Sequence, residues 1–485
     1  MKPVVWTIAG TDPGGGAGIQ GDLKTMNALG VHGCSVITAM IAQNTMGVSR
    51  CDYVAPDMIQ AQLDALADDL PPQAIKMGMI GGADAARVIA AALRAQTCPV
   101  IYDPVMISTS GRRLMEEGAL QVIREQIFPR VQLLTPNLPE AEQLLGRSIN
   151  GEDQMKRAAR DLLGLGVESV LLKGGHSSGD MRSDYWTDGQ QNFWLSSPAQ
   201  QVSHTHGTGC TLSSAIAACR ALGLSLADSL VIGKTYINQG LRLGGGIGKG
   251  KGPLAHEGWP AHPADLPWLV REPASDLEPL SFQPGGALGL YPLVEKADRI
   301  PPLLELGVTV IQLRVKERRG AELEAEIRAA AEMGRRQGAA AYINDYRQAA
   351  LRLGAYGVHL GQRDLAAADL AAISKAGMRL GASASSWADL ARLRRLRPSC
   401  TGLGAVFSTA SKDIAHPPLG VEGFRRLRAM VDGPVAAIGG ITLENAGPLK
   451  DAGADGIAVI ADLAQAPHLP DRVRAWQAFF ERRIK

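Results

Sequence analysis

Residues 244–287 read GGGIGKGKGPLAHEGWPAHPADLPWLVREPASDLEPLSFQPGGA, and no other stretch constrains the chain as much. A run this long, rich in Gly and Pro, does not belong inside a compact domain. It splits 485 residues into two lengths, each suited to one hydrophobic core. The expected organisation is a first domain over 1–260, a linker over 261–286 and a second domain over 287–485.

Both halves alternate short apolar runs with amphipathic stretches, but their patterns differ. In the first half, strands are expected at Val4–Gly10, Cys34–Gln43, Ala74–Met79, Pro99–Val105, Gln132–Asn137 and Ser169–Gly174. Helices such as Pro56–Leu70 and Asp84–Ala95 lie between them. This alternation predicts an α/β domain with a doubly wound, mainly parallel sheet covered on both faces. Tyr185–Leu195 interrupts it with a Thr187-Asp188-Gly189 turn, which reads as a hairpin. Helices Thr208–Leu222 and Ser225–Leu243 should follow. The second half has apolar runs at 289–294, 308–315, 340–345, 357–361, 379–384, 402–408, 435–441 and 456–461. Eight such runs separated by helical segments, in about 200 residues, are what a small (β/α)8 TIM barrel requires.

Charge narrows the function classes. The formal net charge is +2 and aromatic residues make up 5% of the chain. A chain held to nucleic acid by a basic surface or a base-stacking platform would look different. Residues 1–285 carry −5 and residues 286–485 carry +7, so the second half is the one suited to attracting phosphorylated substrates. Six scattered cysteines contain no Cys-x-x-Cys pair, so neither a zinc site nor a disulfide framework is expected. No apolar stretch reaches the length of a membrane span. The apolar run at the N-terminus is short and breaks at Gly10, so the expected location is the cytoplasm. A homo-oligomer is compatible with the sequence.

In the first half, HGTGCT (His206–Thr211) opens a helix. Glycines let the backbone approach a ligand, and unpaired N–H groups at the helix start form an anion hole for a phosphoryl group in transfer. At that position the Cys210 thiol pKa is expected to fall. Gln43, Asn44, Asp103, Asn137, Glu140 and Lys173 follow predicted strand ends, where open parallel sheets bind ligands. A carboxylate there could hold hydrated Mg2+, and Lys173 could bind a polyphosphate. Gly16–Gly21 fits G-x-G-x-x-G, but the acidic residue needed about 20 positions on is replaced by Ile41, Ala42 and Gln43. Gly245–Lys251 fits G-x-x-x-x-G-K, yet Gly252 stands where Ser or Thr is required and no strand precedes it.

These residues sit in the segments WTIAGTDPGGGAGIQGDLKT, VITAMIAQNT, YDPVM, LLTPNLPEAE, LLKGGH and HGTGCTLSSAIAA. In that order, over about 4–258, they resemble hydroxymethylpyrimidine (phosphate) kinase, of the ribokinase-like fold. The resemblance implies ATP-dependent phosphorylation of 4-amino-5-hydroxymethyl-2-methylpyrimidine and then of its monophosphate. It implies that Gln43 binds the pyrimidine, with Met79 and Val105 lining its pocket. Asp103 and Glu140 would serve Mg2+, and Lys173 the ATP phosphates. Gly207, Gly209 and Cys210 would form the anion hole, with Cys210 near the reacting hydroxyl. Gly14 and Gly21 depart from the Ser and Ala usual in that family.

In the second half, Gln312, Arg314 and Lys316 alternate at the end of a strand, which puts them on one side. Asn344 and Asp345, Asp364, Ser383, then Thr409, Ser411 and Lys412, then Gly439 and Gly440 follow successive strands. Barrel active sites lie at that carboxyl-terminal face. Two carboxylates with cationic and hydroxyl groups suit a Mg2+-bound pyrophosphate. LGLYPLV, VIQLRVK, YINDY, YGVHLGQRD, RLGAS, GAVFSTASK, AAIGGI and GIAVIADL resemble thiamine-phosphate synthase over about 288–463. That family joins the pyrimidine diphosphate to a thiazole phosphate and releases pyrophosphate. By this resemblance Asp345 and Asp364 hold Mg2+. Gln312, Arg314, Lys316, Asn344, Ser383 and Lys412 bind the pyrimidine diphosphate. Thr409, Ser411, the Gly439-Gly440 turn and the Ile460-Ala461 backbone face the thiazole phosphate. Ser385 stands where a His is frequent, and Ala461 where a Ser is common. The expected function is therefore a bifunctional thiamine-biosynthesis enzyme acting on small molecules. The alternative is a kinase fused to a thiazole tautomerase-like or non-catalytic barrel.

Overall fold

The computed structural model describes residues 1–106, 114–116, 118–175, 179–273, 279–280, 282–409 and 417–481. The chain forms two compact units, Met1–Leu277 and Glu278–Lys485. No described helix is long and apolar enough to cross a membrane.

The first unit begins β1 (Val4–Gly10), α1 (Gly18–Ala28), β2 (His32–Asn44), β3 (Gly47–Tyr53), α2 (Pro56–Asp69) and β4 (Ala74–Met77). It continues α3 (Ala83–Arg94), β5 (Val100–Tyr102), α4 (Ala119–Val122), β6 (Leu133–Leu134), α5 (Leu138–Leu145), α6 (Glu152–Leu163) and β7 (Val170–Leu172). It closes with β8 (Met181–Thr187), β9 (Asn192–Pro198), α7 (Thr208–Ala221), α8 (Leu226–Leu243) and β10 (Trp268–Val270). The ten strands lie in the order β10-β9-β8-β7-β6-β5-β4-β1-β2-β3. β1 to β2 and β4 to β7 are joined in parallel, and the pairs at both edges are antiparallel. Central strands carry Trp6, Ile8, Met77 and Tyr102 into the core, all essentially inaccessible. Burial of side chains this size stabilises by roughly 1.5–3 kcal/mol each.

The expected hairpin forms as β8–β9, with Thr187 opposite Asn192. β3 was not expected. Its sequence, GVSRCDY, places polar residues on both faces and shows no buried period. Pairing with β2 holds it, not an apolar stripe.

The linker expected over 261–286 is divided between the two units. Arg242 grips Asp265 through Nε and Nη2 at 2.8 and 2.6 Å. Asn238 donates to the Asp265 carbonyl at 2.7 Å, and β10 pairs with β9. These contacts make 261–273 part of the first fold. Residues 279–280 and 282–286 belong to the second, where Leu280 N donates to Arg395 O and Ser399 Oγ donates to Gln283 O.

The second unit is a closed barrel of eight parallel strands, as its sequence pattern requires. They are β11 (Gly289–Val294), β12 (Val310–Leu313), β13 (Ala340–Asn344), β14 (Gly357–Leu360), β15 (Arg379–Ala384), β16 (Cys400–Leu403), β17 (Val435–Ile438) and β18 (Gly456–Val459). β18 returns to β11 through the pairs Gly289 to Gly456 and Pro292 to Val459. Tyr291, Tyr342 and Cys400 fill part of the interior.

Candidate active sites at the carboxyl ends of the two sheets

In the first unit, the groups expected to act on phosphate converge where α7 begins. Gly207 has φ +83°. A Cβ there would stand 1.8 Å from the Gly16 carbonyl oxygen, so only Gly permits this turn against the loop after β1. A Cβ at Gly209 would stand 3.0 Å from Lys173 Nζ and 3.1 Å from Asp103 Oδ2. The turn, the ammonium and the carboxylate therefore share one small space. Lys173 follows β7 and donates to Asp103 Oδ1 at 2.6 Å. Burial works against its charge, but Asp103 and Glu140 hold the ammonium more basic than usual. Glu140 opens α5 in a capping box: Asn137 Oδ1 accepts from its N–H and its Oε2 accepts from Asn137 N–H, each at 2.8 Å. Burial pushes the Glu140 carboxyl up to about 7, with Lys173 opposing and Asp103 adding to the rise.

Cys210 lies in the first turn of α7. The expected fall in its pKa does not occur. Burial pushes the thiol up to about 11, assisted by Asp103 and Asp22 and opposed by Lys76 and the Gly18 N–H. The position at a helix start is outweighed by the loss of water around the sulfur.

Met79 and Val105 meet in an apolar cluster with Ala39, Ile41, Cys51 and Leu114. Gln43 stands beside it near the end of β2, with its side chain hydrogen-bonded to Asp12. Asp12 itself was missed by the sequence reading. It is buried, its Oδ1 accepts from Gly14 N at 2.9 Å, and its Oδ2 accepts from Gly16 N at 3.0 Å and Ala17 N at 2.7 Å. His206 Nε2 is 2.9 Å from the same Oδ2. One carboxylate thus shapes the glycine-rich loop after β1 and ties it to the turn before α7.

These contacts hold the Asp12 carboxyl at about 2 despite its burial. Its folded value lies below the unfolded one. The stabilisation is therefore present above about pH 4 and is lost as pH falls through about 2. Asp12→Asn is expected to cost on the order of 2 kcal/mol at neutral pH. Thermal melts at pH 7 and at about pH 3 check this, because the gap between variant and parent should narrow in acid. An unchanged gap would mean that the charge contributes nothing.

In the second unit, the predicted residues gather on the carboxyl-terminal rim. Gln312 is buried and its Nε2 donates to Tyr291 OH at 3.1 Å. β12 ends at Leu313, and Arg314 N still donates to the Val294 carbonyl of β11 at 2.7 Å, so Arg314 and Lys316 follow directly from the strand end. Arg314 is half-buried, and Lys316 meets Glu295 at 3.1 Å on the surface. Asn344 Nδ2 donates to Asp345 Oδ2 at 2.5 Å. Asp345 N donates to the His359 carbonyl at 3.0 Å, which joins the ends of β13 and β14. Asp364 lies in the helix Gln362–Ala366 after β14. Ser383 Oγ is 2.9 Å from His359 Nε2, and its carbonyl accepts from Gln362 Nε2 at 2.7 Å. Ser385, at the position where a His is frequent, bonds Asp389 Oδ2 through its N–H and hydroxyl at 2.9 and 3.0 Å. It therefore helps to cap the following helix.

Gly439 and Gly440 have φ +102° and +64°. A Cβ at Gly439 would stand 2.6 Å from Ala405 Cα, and one at Gly440 would stand 2.4 Å from the Ser408 carbonyl oxygen. The ends of β16 and β17 touch there, and Thr409 follows. Ile460 and Ala461 begin the helix after β18. Ala461 also edges a cavity of about 650 Å³ shared with Thr442, Asp462 and Arg472. Ser411 and Lys412 lie outside the described residues.

Both units offer carboxylates, but among the described residues no group of three or more His, Cys, Asp or Glu forms a metal cage. Mg2+ is commonly held by one or two carboxylates with waters and substrate phosphates. Asp103 with Glu140 fits that habit, because a cation between them would relieve the Asp103 repulsion that adds to the burial-driven rise of Glu140. Asp345, just after β13, and Asp364, in the helix after β14, come from neighbouring strand-to-helix connections.

The family described as phosphomethylpyrimidine kinase matches residues 12–255, and that described as thiamine monophosphate synthase matches residues 293–463. A hydroxymethylpyrimidine/phosphomethylpyrimidine kinase of Synechococcus elongatus is 46% identical over 255 residues, 52% of this chain and 97% of its own. A probable thiamine biosynthetic bifunctional enzyme, chloroplastic, of Oryza sativa is 33% identical over 97% of this chain and 88% of its own. Among solved structures, a Staphylococcus aureus pyridoxal kinase in complex with ADP is 30% identical with a TM-score of 0.50, covering 53% of this chain and 94% of that one. The first unit therefore has the ribokinase-like fold. The chain belongs to the family of bifunctional thiamine-biosynthetic enzymes, which join a phosphomethylpyrimidine kinase to a thiamine-phosphate synthase.

Proposed function

We propose that the first unit uses ATP and Mg2+ to phosphorylate 4-amino-5-hydroxymethyl-2-methylpyrimidine and then its monophosphate. The second unit joins the resulting diphosphate to thiazole phosphate, giving thiamine phosphate and pyrophosphate. The observation that carries the reading is the convergence of Lys173, Asp103 and the Gly207–Cys210 turn on one space.

In the kinase, Met79 and Val105 pack against the pyrimidine and Gln43 bonds its edge. Cys210 stands beside the reacting hydroxyl. Lys173 and the N–H groups of the turn take up charge on the transferred phosphoryl, whose loose transition state needs positioning more than covalent help. The substrate oxygen bonds to the γ-phosphorus as the bond from phosphorus to the ADP oxygen breaks. Asp103 and Glu140 would hold Mg2+, which when bound neutralises phosphate charge.

In the synthase, Gln312, Arg314, Lys316, Asn344, Ser383 and Lys412 bind the pyrimidine diphosphate, and Asp345 and Asp364 would hold Mg2+. The bond between the methylene carbon and the diphosphate oxygen breaks, and the aminopyrimidine spreads the positive charge. The thiazole nitrogen then supplies the electron pair for the new bond. Thr409, Ser411, the Gly439-Gly440 turn and the Ile460-Ala461 backbone seat the thiazole phosphate. The family match of the barrel and the full-length bifunctional relative favour this over a tautomerase-like or non-catalytic barrel.

Incubating the chain with hydroxymethylpyrimidine, ATP, Mg2+ and thiazole phosphate is expected to yield thiamine phosphate, read as fluorescent thiochrome after oxidation. Accumulation of pyrimidine diphosphate without thiamine phosphate would overturn the synthase half. Absence of both pyrimidine phosphates would overturn the kinase half.

A further inference from the structure

In the second unit, the helix Leu469–Glu481 carries a side chain that reaches both connections assigned to the thiazole phosphate. The helix is seated by Val473 and Trp476, which are fully buried. Arg472 and Trp476 are four residues apart, so they lie on one face, and both turn to Asp462 in the helix after β18. Trp476 Nε1 donates to Asp462 Oδ2 at 2.6 Å, and Arg472 Nε donates to the same oxygen at 3.0 Å. Arg472 Nη2 donates to Asp462 Oδ1. The Asp462 carboxylate is almost wholly buried, so it needs these donors.

The other side of the guanidinium holds Glu444, in the connection after β17. Nη1 and Nη2 donate to Oε1 and Oε2 at 2.9 and 3.0 Å. Glu444 also bonds Thr442. Thr442 N donates to Asn445 Oδ1 at 2.9 Å, and Asn445 Nδ2 donates to the Gly440 carbonyl at 3.0 Å. A short run of bonds therefore leads from the Gly439-Gly440 turn through Arg472 to the residue that follows Ala461. Thr442, Ala461 and Arg472 line one cavity of about 650 Å³, so the clamp borders the space that both connections face.

Stability does not account for the Glu444 half. Glu444 is exposed, and ion pairs at exposed carboxylates contribute little. What a bidentate pair adds is direction, because two parallel bonds fix one group against the other. Every nitrogen of the guanidinium faces a carboxylate, so Arg472 acts on a phosphate through the connections it ties. The tie matters more in this chain because residue 461 is Ala. With no hydroxyl at that position, the seat is made of backbone groups, whose aim depends on where the connection is held.

We propose that Arg472 is a positioning residue for the synthase reaction: by clamping Glu444 and Asp462 together, it holds the Gly439-Gly440 turn and the Ile460-Ala461 backbone at the spacing one phosphate requires. This rests on the reading of those two segments as the seat of the thiazole phosphate. The pyrimidine diphosphate is bound from other strand ends, so the clamp serves one substrate and not the other.

The test is steady-state kinetics of the full chain with supplied pyrimidine diphosphate, each substrate being varied in turn. Arg472→Met keeps the apolar stem and removes the fork. It should raise KM for thiazole phosphate about tenfold, while KM for pyrimidine diphosphate and kcat stay within about threefold. Lys450→Met is the control. Lys450 Nζ donates to the Phe479 and Phe480 carbonyls at 2.8 and 3.1 Å, so its loss loosens the same helix and leaves the clamp whole. It should lower the melting temperature and leave both KM values unchanged. If Arg472→Met does not fold, Glu444→Ala, at an exposed position, opens the β17 half alone and should raise KM for thiazole phosphate about threefold. A folded clamp variant with the parental KM would overturn the proposal, as would a Lys450→Met variant that raises KM as much as Arg472→Met. A parent chain that forms no thiamine phosphate would instead overturn the synthase reading, and the proposal with it.

Discussion

Replacing Lys173 by Met is expected to lower kcat/KM of the kinase by about a thousandfold, the upper end of what one preorganised donor supplies to developing charge. Synthase turnover with supplied pyrimidine diphosphate should be unchanged. Three observations set the size of the effect. The ammonium sits 3.0 Å from where a Cβ at Gly209 would be, so it faces the turn that receives the phosphoryl group. It is the cation bonded to Asp103. It also opposes the rise of the Glu140 carboxyl. Methionine keeps the apolar stem and removes all three effects. Two buried carboxylates then face each other without a cation, so the melting temperature should fall as well. Lys173→Arg would keep the charge, but its planar fork does not fit the space of a compact ammonium. It should recover only part of the activity. A folded Met variant within tenfold of the parent would remove Lys173 from the reaction.

Fold was legible wherever burial imposed a period. The parallel strands of the first sheet are short apolar runs because helices cover both faces, and the barrel strands are so because helices cover their outer face while side chains such as Tyr291 and Tyr342 fill the inside. β3 was not legible, because its residues are bound by backbone pairing at an edge and its side chains carry no period. The division of 261–286 was hidden for a related reason. Asp265 is held by Arg242 and Asn238, which lie more than 20 residues earlier in the chain. Composition cannot show such a tether.

The sites divide in the same way. Gly207, Gly209, Lys173 and Asp103 were readable because chemistry at strand and helix ends uses few residue types. Cys210 lies in the first turn of α7, where the sequence puts it, but its proton affinity was read with the wrong sign. A local rule about helix starts ignored burial and the carboxylates that distant segments bring near. Asp12 and Lys76 did leave signals. Asp12 opens a Gly-rich loop, as residues that bond the backbone two positions on commonly do. Lys76 is a lone cation in the buried strand AIKM, and such a residue needs a partner. The sequence could not say that its partner is Asp22, 54 residues away.

Asp345→Asn is expected to reduce synthase activity by about a hundredfold while the fold and the kinase reaction persist, a loss of somewhat under 3 kcal/mol in transition-state stabilisation. Asp345 has φ +64°, in the left-handed region that costs most residues roughly 1–2 kcal/mol but that Asp and Asn tolerate. Its neighbours impose that conformation. Its N–H bonds the His359 carbonyl, its carbonyl accepts from Arg347 N, and its Oδ2 accepts from Asn344 Nδ2. The chain thus bends sharply at the end of β13 and presents a carboxylate at the rim. Strain held at a strand end beside other polar groups is characteristic of a working site. Asparagine adopts the same backbone with nearly the same shape and removes only the charge. The melting temperature should therefore shift little, and the loss should fall on the step in which pyrophosphate departs. Asp345→Ala cannot take that φ without strain, so it should lose both activity and stability. Comparison of the two variants separates charge from backbone. If the Asn variant keeps activity within threefold while the Ala variant loses it, Asp345 serves the turn alone and the carboxylate takes no part in holding a cation.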